Sequence, residues 1–207
     1  TILLTGSNSL SGIGTGVWSG NGITLNGQYT VSSVGVYTFT YSYGSGTCLT
    51  RDSMELTVHD LPVVDAGADT SYCIDAGLQT LVGSPPGGIW SGTGIVSSAG
   101  VFAPDSVSAN TYTLTYTYTD GNSCINSDTR DIAVNALPVV EAGIDVLVCS
   151  KPIPVTSGGT PTGGSWSGSH VTSGGVFTPN GVGSFILTYT YTDGNGCENT
   201  DNLTVTV

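Results

Sequence analysis

Charge is what this sequence has least of. Only 9% of its 207 residues are charged, with three Lys and Arg against fifteen Asp and Glu, for a net charge of -12. A surface of that sign repels nucleic acid and anionic lipid, so both are excluded as partners. The single lysine, Lys151, rules out isopeptide cross-links that would need a lysine in every unit. Two histidines and no CxxC pair fall short of a zinc-ligand pattern. No run approaches the ~18 apolar residues of a membrane span, so insertion in a bilayer is not expected, and no secretory leader pattern is present. The chain opens on Thr1 rather than Met and reads as a mature or excised piece.

What is plentiful is glycine, with 31 residues, alongside threonine, serine and valine. That palette suits β-strands joined by tight turns and lacks the Ala/Glu/Lys/Leu mix of helices. It is also arranged in copies. LTYTYTDGNSC runs from Leu114 to Cys124, LTYTYTDGNGC from Leu187 to Cys197, and a diverged FTYSYGSGTC from Phe39 to Cys48. Trp18, Trp90 and Trp166 each open a Trp-Ser-Gly, at spacings of 72 and 76 residues. LPVVDAGAD from Leu61 and LPVVEAGID from Leu137 begin the second and third copies. The expected units are 1–60, 61–136 and 137–207. A period above 70 residues exceeds the ~20–50 of solenoid repeats and fits an array of small domains.

The five cysteines fall on these copies as Cys48, then Cys73 and Cys124, then Cys149 and Cys197. The expectation is one disulfide per complete copy, Cys73–Cys124 and Cys149–Cys197. Cys48 is then unpaired by truncation, since the position matching Cys73 falls before Thr1. A reactive thiol or an intermolecular bridge at Cys48 is the alternative. Paired cysteines imply an oxidising, extracellular setting. A unit of about 70 residues has a thin core, and a bridge closing roughly 50 residues adds about 4 kcal/mol on the chain-entropy argument.

YTLTYTYT alternates strictly, with Tyr112, Leu114, Tyr116 and Tyr118 on one face and threonines on the other. Copy three matches it with Phe185, Leu187, Tyr189 and Tyr191, and copy one with Tyr37, Phe39, Tyr41 and Tyr43. Residues 131–134 and 203–207 read as final strands that pair back in a hairpin. Asp120-Gly121-Asn122 and Asp193-Gly194-Asn195 supply its turn. Gly87-Gly88 and Gly163-Gly164 mark further turns, and GVFAP and GVFTP are short strands stopped by proline. Short strands, regular turns, a core tryptophan and a cysteine pair give an all-β fold of tandem immunoglobulin-like β-sandwiches. The prolines of Leu61-Pro62 and Leu137-Pro138 suit short, stiff junctions in a rod-like array.

Catalysis needs unlike residues gathered once, whereas repeats supply like residues many times. His59 and His170 occupy different positions in their copies, no Gly-x-Ser-x-Gly frames a serine, and Gly12, Gly14 and Gly16 lack a following lysine. An enzyme is not expected and no cofactor is required. Calcium is the one metal candidate. Asp65, Asp69 and Asp120 in copy two, and Glu141, Asp145 and Asp193 in copy three, would converge at the hairpin pole with Asn122 or Asn195. The competing reading is turn chemistry, in which Asp and Asn side chains accept local backbone N–H groups.

VVDAGAD, GG-W-SGTG, GVFTP and YTLTYTYTDGNGC followed by TVTV resemble the tandem immunoglobulin-like or PKD-like repeats of large cell-surface proteins of Bacteroidota. These include gliding-motility adhesins exported by type IX secretion, and the resemblance spans nearly the whole chain. It implies a non-catalytic stalk or adhesive array at the cell surface, whose partners are neighbouring repeats and a surface glycan or host ligand. Two other readings stand beside it: a segment of an extracellular filament or sheath formed by lateral self-association, and a carbohydrate-binding module. The resemblance also implies O-glycan acceptors at Asp52-Ser53-Met54 and Asp105-Ser106-Val107, that is, Ser53 and Ser106. Copy one departs from the pattern, having Gly44-Ser45-Gly46 in place of the Asp-led turn.

Overall fold

The structure, a computed structural model, describes residues 2–5, 16–44, 46–149 and 155–207. Gly12, Gly14 and Lys151 lie outside the described residues. The described fold is all-β apart from two single 3-10 turns, in keeping with the strand-and-turn composition. The chain divides into two compact units, Thr1–Val63 with Thr119–Asn126, and Val64–Tyr118 with Ser127–Val207.

In the first unit, β1 (Ile2–Leu3) pairs with β3 (Gln28–Tyr29), and β2 (Val17–Ser19), β4 (Gly35–Tyr43) and β5 (Thr50–Val58) form a sheet with β4 central. The second unit repeats this scheme twice with an added edge. The first sheet runs β6 (Thr70–Cys73), β12 (Ile125–Asn135), β11 (Asn110–Thr119), β8 (Ile89–Ser91). Opposite it lie β7 (Gln79–Thr80), β10 (Val101–Phe102) and β9 (Ile95–Ser97). Its second occurrence orders β13 (Val146–Leu147), β18 (Glu198–Thr206), β17 (Ser184–Thr192), β15 (Ser165–Gly168), with β14 (Val155–Thr156) paired to β16 (Val176–Phe177). The final strands start earlier than expected, at Ile125 and Glu198, because pairing begins directly after the turn.

Each copy buries its own cluster, and the clusters are built from matching positions. Trp18, Tyr29 and Phe39 form one, Trp90, Phe102, Leu114 and Tyr116 anchor the second, and Trp166, Phe177, Leu187 and Tyr189 the third. Alternation on the tyrosine strand holds, since Leu114 and Tyr116 are buried while Thr113 and Thr119 are exposed. Each core is closed by residues from both sheets, which makes copies two and three immunoglobulin-like two-layer sandwiches.

The glycine pairs before Trp90 and Trp166 do more than turn the chain. Tyr116 Oη donates to Pro85 O and accepts from Gly88 N at 2.8 Å. Its ring lies so close that a Cβ on Gly83 or Gly88 would stand 2.5 Å from a ring carbon. Tyr189 repeats the arrangement with Pro161 O, Gly164 N, Gly159 and Gly164. Only glycine leaves room for the ring and brings the donor within reach of the phenol, so the motif anchors the loop to the sheet. Replacing Tyr116 with phenylalanine should therefore keep the fold but strand a backbone donor and acceptor. The expected loss is about 1–3 kcal/mol of unfolding free energy, read from urea denaturation, with Tyr189→Phe behaving alike.

Candidate functional site: the stapled junction

The distinguishing feature of the second unit is a disulfide between Cys73 and Cys197, with Cα atoms 5.5 Å apart. It joins the first strand of copy two to the hairpin tip of copy three. Cys48 and Cys149 are free and exposed, and Cys124 is free and half-buried.

The expected pairings within copies, Cys73–Cys124 and Cys149–Cys197, are thus corrected, and the cause is strand direction. β13 runs parallel to β18, Val146 opposite Val205 and Leu147 opposite Thr206, and Val148 N then donates to Thr206 O. Cys149 therefore stands beyond the Thr206 end, whereas Cys197 directly precedes Glu198 at the other. Nine residues of strand separate these levels, roughly 30 Å at about 3.3 Å per residue. A disulfide tolerates no more than about 7 Å between Cα atoms. In copy two Cys73 is in register with Asn135, the last residue of β12, while Cys124 precedes its first, Ile125. The whole strand lies between them too.

Along that course side chains pin the entering segment to the last strand of its copy before its backbone pairing with that strand begins, while Asp65 and Glu141 bridge to Ser84 and Thr160 on the other side. At the start of copy three, Asn199 Nδ2 donates to Pro138 O at 2.9 Å. Next Asp201 Oδ2 accepts from Ala142 N at 2.7 Å, and Asp145 Oδ1 from Thr204 N at 2.9 Å. Copy two has the same three contacts: Asn126 with Pro62 O, Asp128 with Ala66 N, and Asp69 with Asp131 N. Ala66 and Ala142 are buried, which explains the small residue in each AG motif. The tips are alike as well. Asp193 Oδ1 accepts from Asn195 N at 2.8 Å and Cys197 N at 2.9 Å. Asp120 holds Asn122 N and Cys124 N, both at 2.8 Å. This local capping places Cys197 at the apex of its hairpin, facing the end of the preceding copy.

The expected calcium constellation is not assembled in copy three. Asp193 caps the tip, Glu141 precedes the alanine bound by Asp201, and Asp145 is level with Thr204. Along β18 these levels lie about 13 and 23 Å from Cys197, far beyond the 2.3–2.6 Å ligand distances around one calcium ion. In copy two, Asp65 Oδ1 accepts from Gly67 N, Asp69 serves Asp131 N, and Asp120 caps its own turn. Among the described residues no three His, Cys, Asp or Glu side chains gather in a metal-binding group.

The remaining candidates are dispersed. His59 lies just after β5 in the first unit, and His170 packs edge-on against Phe185 at 5.7 Å in copy three. Ser53 and Ser106 are exposed, and Ser106 Oγ donates to Ala103 O at 2.7 Å. The junction bond was missed in the sequence because the entering segment was placed wholly at the hairpin pole. A signal was present in the lengths. Pro138 to Cys149 is about as long as Cys197 to Val207, as a strand running beside it must be.

No protein-family model and no curated protein matches the chain. Solved structures resemble it loosely. Mouse protocadherin-24 EC1-3 is 13% identical, with 99% of this chain and 94% of that one covered and a TM-score of 0.34. A Ca2+-stabilized adhesin that helps an Antarctic bacterium bind ice is 14% identical, over 93% of this chain and 64% of that one, at a TM-score of 0.39. Drosophila N-cadherin EC1-4 is 10% identical, over 93% and 66%, at 0.29. Overlap this loose carries no further argument.

Two outcomes follow from the contacts of these carboxylates. With backbone N–H groups bound to the carboxylates of Asp65, Asp69, Asp120, Asp145 and Asp193, EDTA should leave the melting midpoint of the chain unchanged; a fall on chelation, restored by calcium, would refute this assignment. Asp128 is held below the usual carboxylate range, chiefly by the Ala66 N–H and then by the Thr129 N–H, against the opposing effect of burial. A depressed folded value means stability that is present above the unfolded value near 4 and lost as pH falls through the folded one. Urea midpoints measured from about pH 5 down to about pH 2 should fall less steeply in Asp128→Asn than in the parent.

Proposed function

We propose that the chain is a non-catalytic segment of an extracellular repeat array, of the kind that forms the stalk of a cell-surface adhesin. Its units are the three copies at 1–60, 61–136 and 137–207, and their partners are the neighbouring copies. The observation that carries this reading is the Cys73–Cys197 bond, which joins consecutive copies. A bond of that kind has value where the spacing of successive domains must be held. It also requires an oxidising compartment, which supports the extracellular assignment.

The surface supports a structural role over sugar binding. Every tryptophan, tyrosine and phenylalanine is buried or half-buried, so the aromatic side chains serve the cores rather than a flat stacking platform. The alternating strands put threonine, not tyrosine, on the outer face.

The test is a double variant, Cys73→Ser with Cys197→Ser, compared with the parent. Loss of the bond should expose the 136–138 connection to limited proteolysis and uncouple the two copies, turning one thermal transition into two in calorimetry. Identical digestion and a single unchanged transition would remove the basis for a junction role.

A further inference from the structure

Copies two and three each close their core with a segment that has no counterpart among the described residues of copy one. In them the entering segment lies parallel beside the last strand, β6 along β12 and β13 along β18. It brings Val64, Ala66 and Tyr72 to one core, and Val140, Ala142 and Val148 to the next. In copy one β5 is the edge of its sheet, and no described strand runs along its outer side. The core registers the difference. Leu56 and Val58 stand eight and ten positions after Cys48, as Ile132 and Val134 stand after Cys124. Ile132 and Val134 are buried, whereas Leu56 and Val58 are half-buried, and Met54, which matches buried Leu203, is exposed.

The polar anchor for such a segment is already in place. Asp52, Asp128 and Asp201 each lie four positions after the tip cysteine of their copy. Asp128 and Asp201 use Oδ2 to accept the backbone N–H of Ala66 and Ala142 from the entering segment. Asp128 also accepts the N–H of the next residue, Thr129, and Asp52 Oδ1 accepts that of Ser53 at 2.9 Å in the same way. Among the described residues Asp52 Oδ2 takes no hydrogen bond.

We propose that the outer edge of β5 is a strand-docking site, whose ligand is an extended segment of Val-Val-acidic-Ala-Gly-x-Asp type laid parallel to β5. The edge dictates that chemistry. It offers a ladder of backbone groups, one carboxylate oxygen for a peptide N–H at Asp52, and apolar side chains left partly uncovered. The register of copy two would put the alanine N–H of the ligand on Asp52 and its tyrosine beside Val58. A second copy of this chain is not the donor, because its own segments of this type are engaged beside β12 and β18. Arg51, Asp52 and Glu55 also blunt the edge against undirected pairing. The site rests on the copy-to-copy reading given above and adds a partner to it.

The bonded junction supplies a position marker for the docked state. Cys73, at the end of β6, meets Cys197, whose N–H is held by the Asp193 turn. Cys124 has the same place after the Asp120 turn, and its tip, Thr119–Asn126, belongs to the compact unit of copy one. A cysteine that ends the docked segment therefore falls beside Cys124.

The experiment uses the intact chain and a synthetic peptide with the sequence of residues 61–73, its cysteine carried as the mixed disulfide with glutathione. Attack by a chain thiolate on the peptide sulfur forms the new bond and expels glutathione as its thiol. Attachment sites are then mapped by mass spectrometry. Attachment at half-buried Cys124 should exceed that at exposed Cys48 and Cys149 about tenfold, and a peptide of reversed sequence should show no such preference. Asp52→Ala in the chain, or Ala66→Pro in the peptide, which removes the N–H, should each cut the Cys124 product about tenfold. The peptide with Cys73→Ser should protect β5 amides from hydrogen exchange. Even attachment at the three thiols, equal yields with the reversed peptide, or a product indifferent to both substitutions would overturn the proposal. So would protection confined to copies two and three, which would mean that the peptide had displaced a resident segment. The Cys73–Cys197 peptide pair, read in the same map, reports on the internal junction, so failed docking and a failed junction are told apart.

Discussion

Nine residue pairs, from Ser184 with Thr206 to Thr192 with Glu198, hold β17 and β18 in one register, and the placements around the junction follow from it. A slip of one residue would turn Leu187 and Tyr189 to solvent and threonine into the core, so burial and backbone pairing enforce the same alignment. The phenol of Tyr189 then gathers the loop around Gly159 and Gly164. Asp201 and Asn199, on the partner strand, receive the incoming segment, and the tip carries Cys197 to the copy before. A single hairpin thus organises the core, the entry and the linkage of its copy.

The junction shows how an acidic chain can be built with little ion pairing. Its carboxylates are used as acceptors for backbone N–H groups, at turn tips and along the entering segment, where an Asp oxygen stands in for a missing rung of the sheet. The cores are small, three buried clusters of similar make-up. A covalent tie across 124 residues contributes up to about 5 kcal/mol on the chain-entropy argument, comparable with the whole stability of a small domain.

Much of this could be read in the residues themselves. The period-two tyrosine strand announced its buried face, Asp-Gly-Asn announced a hairpin tip, and the recurring tryptophan was a core residue in each copy. These are local signals, and their structure is local. The cysteine pairing was legible in segment lengths alone, because it depends on a parallel neighbour whose direction no short motif encodes. Asp145 and Asp193 looked like co-ligands because they are acidic and near segment ends, yet β18 holds them at opposite ends of itself. Tyr116 and its glycines were read as a strand residue and a turn; that the phenol binds the turn emerges only when loop and sheet are brought together.

The bond between Cys73 and Cys197 also redraws the path by which the chain transmits tension. A pull applied before Pro62 and after Val207 travels from residue 62 to 73, crosses the sulfur pair, and leaves from 197 to 207. The stretch between the bonded cysteines, which stand 124 positions apart, is bypassed, including the hairpin of copy two and most of copy three. Even if both sandwiches came apart, about 430 Å of contour length would stay locked inside that loop. The two copies are in this sense a tether of short, fixed reach.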